Sequence, residues 1–127
     1  MTEIEQKAGT NPLRRWVDPE DQEDIFSLGK HVVSLPGEWL FHESTPREGF
    51  GIIEQGEVEI VRGLQGAQTR LAVLGPGEML GEGALFGDSA HSASAVTRTG
   101  ASTYFVPRSS MDELRKSNPE AYYRMVS

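Results

Sequence analysis

The run Gly81-Glu82-Gly83-Ala84-Leu85-Phe86-Gly87-Asp88-Ser89-Ala90-His91-Ser92-Ala93-Ser94 carries the densest chemistry in the chain. Two glycines flank an acid, a short apolar turn follows, and a hydroxyl-rich strand closes the segment. Such a segment can form a short helix whose free N–H groups point into a cavity and hold an anion. Glu82 can accept hydrogen bonds from a sugar diol, while His91, Ser92 and nearby N–H groups can face a phosphate. The same residues also suit ordinary turns with one solvated acid, and spacing alone leaves that choice open.

Other chemistry finds less support. The chain has no cysteine, which excludes disulfides, thiolate catalysis and cysteine zinc sites, and fits a reducing cytoplasm. His31, His42 and His91 are far apart, and no His-x-His pair occurs. Isolated histidines of this kind are surface or packing residues more often than metal ligands. No nucleophile and base stand at a convincing spacing, so the expectation is a non-enzyme with no catalytic residues, no metal and no cofactor. A net charge of −7 argues against a nucleic-acid surface, because phosphate contacts need clustered Lys and Arg. The apolar runs are too short to cross a membrane as a helix, and the first sixteen residues lack a signal-peptide core.

The elements that position the glycine-rich segment are mostly strands. Apolar runs over 31–35, 39–41, 51–53, 58–61, 70–74, 93–96 and 103–106 are separated by turn-forming residues, mostly Gly and Pro. Gly49 and Gln55-Gly56 read as turns. This spacing predicts a mainly β domain, an antiparallel jelly-roll-like β-barrel, and not a parallel α/β sheet. Val58-Glu59-Ile60-Val61-Arg62 reads as a half-buried alternation. Residues 1–17 read as a polar arm, and 18–127 as the domain. Asp18-Pro19-Glu20 marks a short N-terminal helix that stops at Gly29. Ser110 and Glu113 have capping-box spacing, and Asn118-Pro119-Glu120 starts a second C-terminal helix in which the sequence ends. A helix left uncapped there is expected to be completed by a partner or by further chain.

Taken in order from about Asp18 to Val126, these pieces resemble the cyclic-nucleotide-binding domain family. Pro36-Gly37-Glu38-Trp39-Leu40-Phe41 is similar to the family's opening turn, and Glu43-Ser44 sits where a Glu-Gly usually follows. The stretch 51–60 resembles its signature strand pair, joined at a Gly-x-Val turn. Leu74-Gly75-Pro76-Gly77-Glu78-Met79-Leu80-Gly81-Glu82 resembles the approach to the phosphate-binding cassette. Val106-Pro107 followed by Asn118-Pro119-Glu120 resembles the passage into the signalling helices. The resemblance implies a cytoplasmic regulatory domain that binds cAMP or cGMP and signals through its C-terminal helices. The recipient is a protein partner, a fused effector domain or a second copy of the chain.

The resemblance also assigns roles. Gly81-Glu82 matches the ribose-gripping acid, Gly83 and Ala84 match backbone donors, and Ser92 with Ala93 continues the cradle. His91 falls where the family has an Arg that pairs with the cyclic phosphate. Arg offers a permanent planar fork, whereas His is shorter and charged only below a pKa near 6.5. Losing one or two charged hydrogen bonds of about 1.5–3 kcal/mol weakens binding roughly 10- to 10⁴-fold. The site therefore either retains a weakened cyclic nucleotide or has drifted to another ligand or to none, leaving a protein-interaction module. Tyr122 or Tyr123 could stack on a base as a lid, or one could pack while the other stays exposed.

Overall fold

The computed structural model describes residues 28–64, 66–81 and 90–126, so the expected arm and N-terminal helix lie outside the described residues. The described chain forms β1 (Lys30–Ser34), β2 (Trp39–Phe41), β3 (Gly49–Gly56), β4 (Val58–Arg62) and β5 (Thr69–Leu74). It continues as β6 (Met79–Leu80), β7 (Ser94–Val96), β8 (Ala101–Pro107), α1 (Arg108–Ser117) and α2 (Pro119–Val126). The strands pair into two antiparallel sheets, ordered β1-β8-β3-β6 and β2-β7-β4-β5. The expected mainly β, jelly-roll-like architecture is present. The two sheets face one another, however, and do not close into a continuous barrel. At the β3–β4 junction, Gly56 (φ 83°) redirects the chain from one sheet to the other. A Cβ there would lie 2.3 Å from the Gly100 carbonyl oxygen, so only glycine fits the crossing.

Strand β3 is buried along most of its length because both faces are covered. Phe50 and Ile52 point to one side and join Met79, Tyr104, Val106, Met111 and Leu114 in the first apolar cluster. Ile53 points the other way, toward Val58, Leu80, Ala95 and Ala101 between the sheets. The β1-β8-β3-β6 sheet is thus the middle layer, with the second sheet on one face and the helices on the other. Gly49 lies inside β3 and is not a turn: a Cβ there would lie 2.2 Å from the Val106 carbonyl oxygen on β8. In β4 the expected alternation is interrupted. Val61 is buried as well as Val58, at a register shift where Leu71 of β5 is the extra residue between the partners of Ile60 and Val61.

The helices are short and gain stability from packing, since a ten-residue helix is marginal in water. Met111 and Leu114 form the buried stripe of α1. The capping box at Ser110 does not form. Helix α1 starts two residues earlier, with Pro107 as an N-cap that has no side-chain bond. Its first N–H is satisfied instead by the Glu48 carbonyl at 2.8 Å. Asn118 ends α1 by donating to the Leu114 carbonyl, and its own carbonyl accepts from Tyr122 in α2. Pro119 then occupies the first helical position, as its sequence context predicts.

Among the described residues, one backbone position outside glycine is strained. Ser44 has φ 69° in the turn after β2, the left-handed region, which costs a non-glycine residue about 1–2 kcal/mol. Ser44→Gly relieves that cost but adds backbone freedom to the unfolded chain, offsetting about 0.4–1 kcal/mol. Urea unfolding is expected to show Ser44→Gly neutral or up to about 1 kcal/mol more stable, and Ser44→Val less stable by at least that much. The opposite order would show that the turn relaxes to another conformation.

Candidate functional site

A cavity of about 500 Å³ opens between the two sheets. Its floor is the inward face of the middle sheet, and strand register decides which residues form it. Lys30 pairs with Phe105 and Val32 with Thr103, and these four side chains line the floor. Gly51 lies opposite Phe105 on the same face, with Gly49 two residues before it. Two glycines at period two leave β3 with no side chain there, and the hollow follows from that. At Gly51 an added Cβ would meet only ordinary contacts, 3.7 Å from the Tyr104 carbonyl oxygen. The opposite wall comes from β2 and the loop after it, including Trp39, Phe41, His42, Pro46 and Glu48.

His91 forms part of this wall and is 6% exposed. Its N–H donates to the Thr45 carbonyl at 2.9 Å, and its carbonyl accepts from Ser44 at 2.8 Å. With an adjacent bridge between Pro46 and Ala90, these bonds fix the residue against the β2–β3 loop. The imidazole stacks on Phe41, with ring centres 3.8 Å apart and planes 10° apart. Its Nδ1 is buried and has no hydrogen-bond partner among the described residues. Burial lowers the His91 pKa, the positive charge of Arg47 lowers it further, and Glu48 acts in the opposite direction. At neutral pH the side chain is therefore an uncharged, ring-stacked group with one unused nitrogen.

Gly81 lies beside it. A Cβ built on Gly81 would stand 3.7 Å from His91 Cε1 and 3.1 Å from the Gly49 carbonyl oxygen, and its φ of 72° suits glycine. Gly81 thus stands against His91, which lines the cavity, while Gly81 itself does not line it. Glu82, Gly83 and Ala84 lie outside the described residues. Ser92 is exposed, does not line the cavity, and its carbonyl accepts from Arg62 Nε at 3.2 Å. Ala93 is buried among the core residues. Sequence reasoning missed the Gly49 and Gly51 pair, although a two-residue glycine spacing beside Phe50 and Ile52 was the available signal. It also missed Thr103 and Phe105 as floor residues.

The other two histidines have separate surroundings. His31 Nδ1 lies 2.7 Å from the buried carboxylate of Glu54 on β3, and His42 stacks on Trp39. Among the described residues no cluster of three His or acidic side chains could hold a metal ion. Tyr122 packs against the first apolar cluster beneath Arg115, and Tyr123 is 67% exposed. Both belong to the helical layer, on the far side of the middle sheet from the cavity, and neither lines it. The arrangement of one packed and one exposed tyrosine is the one observed. No helix among the described residues is long and apolar enough to cross a membrane.

Comparison with known proteins agrees with this geometry. The family model described as cyclic nucleotide-binding domain matches residues 32–118. A cyclic AMP receptor protein from Thermus thermophilus is 32% identical over 87 residues, which cover 68% of this chain and 40% of that protein. The N-terminal domain of a transcriptional regulator from Streptomyces coelicolor superposes with a TM-score of 0.79 at 26% identity. That match covers 91% of this chain and 82% of the other. The regulatory domain of Toxoplasma gondii PKA, solved with cAMP, gives a TM-score of 0.76 at 19% identity, covering 89% of this chain and 46% of the other. By this match and by its fold, the chain belongs to the cyclic nucleotide-binding domain family.

Proposed function

We propose that this chain is a ligand-sensing regulatory domain that takes a cyclic nucleotide, cAMP or cGMP, in the cavity between its sheets, and that it is not an enzyme. The observation that carries the reading is the packing of Gly81 against His91, which lines a cavity of about 500 Å³. That volume lies within the usual range for small-molecule sites. The cyclic AMP receptor protein among the relatives supports the ligand class. In this reading Glu82 grips the ribose, the N–H groups of Gly83 and Ala84 face the phosphate, and His91 completes the cradle. Ser92, exposed and outside the cavity, and Ala93, buried in the core, take no part in it.

The output would leave through the helices. Glu48 lines the cavity, and its carbonyl holds the first N–H of α1. A ligand that shifts the β2–β3 loop therefore acts directly on the start of α1, and through it on a protein partner, an effector domain or a second copy. Such a shift requires a ligand with different affinity for the two arrangements.

One observation favours a second reading. His91 is uncharged at neutral pH, and Glu38 and Glu48 also line the cavity, so its wall is not strongly cationic. A less anionic ligand would suit it, as would a structural cavity in a protein-interaction module.

Calorimetric titration with cAMP and cGMP separates the two. The first reading expects weak binding by the natural protein and at least about tenfold stronger binding by His91→Arg, which restores a permanent cation. Bound phosphate should raise the His91 pKa, so affinity should increase as pH falls from about 8 to 6. The gain should continue below 6.5, because the free imidazole sits below its ordinary value. Absence of binding by both proteins would establish the second reading.

Gly51→Leu grows a side chain into the cavity without a backbone clash. It should reduce cyclic-nucleotide affinity at least about tenfold and leave the thermal midpoint unchanged or higher. Unliganded stability should respond to pH with the opposite sign. The depressed His91 pKa means the unfolded chain takes the proton first, so stability is lost as pH falls below about 6.5 through the folded-state value. His91→Gln should reduce that loss in urea melts compared between pH 7.5 and 5.

A further inference from the structure

Two buried nitrogens lie unsatisfied on either side of one short bridge. His91 Nδ1 and Arg47 Nε are both enclosed, and neither has a hydrogen-bond partner among the described residues. A buried donor without an acceptor costs about 1–3 kcal/mol, so such groups call for an explanation. The backbone brings the two residues together. His91 donates to Thr45, Ala90 bridges Pro46, and Arg47 is the next residue along. Pro46 and Glu48, which flank Arg47, both line the cavity, and Arg47 itself does not, so its guanidinium must turn toward the ligand on binding. The positive charge of Arg47 is felt at the imidazole, where it opposes protonation, and Glu48 acts against it.

We propose that Arg47, on the β2–β3 loop and outside the glycine-rich segment, supplies the permanent cation that holds the ligand's phosphate in this chain. The inference rests on the cyclic-nucleotide reading and adds a binding residue to it. A guanidinium carries several donors in a rigid fork, and a phosphate carries the acceptors that Arg47 Nε lacks. Neutral His91 is compatible with that role, because its Nδ1 can donate a single hydrogen bond to the same group without adding a second buried charge. The lowered His91 pKa follows in part from the charge already present on Arg47. Lys30 also lines the cavity, but as an exposed residue on β1, where its charge is solvated.

The test uses the full chain and calorimetry at pH 7.5, with cAMP and adenosine as probes. Arg47→Gln should weaken cAMP binding at least about tenfold while leaving adenosine affinity within about twofold, because adenosine lacks the phosphate. Arg47→Lys should recover part of the loss. His91→Arg introduced into Arg47→Gln should restore cAMP affinity, which also shows that the Gln variant is folded. Lys30→Gln, with the same change in net charge, should cost less than about threefold. Equal losses for Arg47→Gln and Lys30→Gln, or equal losses for cAMP and adenosine, would overturn the assignment. Unchanged cAMP binding by Arg47→Gln would also overturn it and leave the cyclic-nucleotide reading standing. Absence of cAMP binding by the natural protein and by His91→Arg would remove both.

Discussion

Strand β3 is covered on both faces, and the two halves of the molecule depend on that single constraint. One face holds Phe50 and Ile52 against the helices, and the other holds Ile53 against the second sheet. A strand enclosed this way cannot shift by one residue, because every side chain would exchange layers. Cavity and helices therefore share one fixed register. Gly49 and Gly51 open the hollow on the same strand whose neighbouring side chains seat α1. Burying each large apolar side chain contributes about 1.5–3 kcal/mol, so the register is held much more firmly than any one polar contact at the cavity wall.

Electrostatics at the cavity follow from what surrounds His91 and not from its residue type alone. A histidine in water is partly charged near neutral pH. Against Phe41, away from solvent and near Arg47, the imidazole gives up that charge. The cavity lining then carries the carboxylates of Glu38 and Glu48 and the Lys30 ammonium beside an uncharged imidazole.

Much of this was legible from the residues. Turn punctuation located the long strands because Gly and Pro break a period-two pattern for simple steric reasons. The family resemblance placed the helices, since Asn118-Pro119 both stops one and starts the next. Local signals failed where a distant contact decides the outcome. Gly49 looked like a turn, yet it is glycine because the Val106 carbonyl oxygen passes too close for a Cβ. The two-residue β6 is too short for a pattern and exists only because β3 pairs with it. Ser110 lost its capping role because the Glu48 carbonyl reaches the helix start first. The bulge at Leu71 of β5, opposite Ile60 and Val61, is likewise a property of the strand pairing and not of the β4 residues themselves. At the proposed site, Gly81 and His91 were singled out by the glycine-rich segment and the family resemblance, whereas Arg47 had no sequence signal because only the fold brings it near His91.

The hydrogen bond from Arg108 to Glu48 ties one residue of the cavity wall to the first turn of a helix. A bond shared in this way transmits in both directions. By thermodynamic linkage, any partner that grips the helices must change affinity at the cavity by the same factor that the ligand changes the grip. Under the proposed function, the affinity of the isolated chain is then one of two values, the second being that of the chain with its helices held.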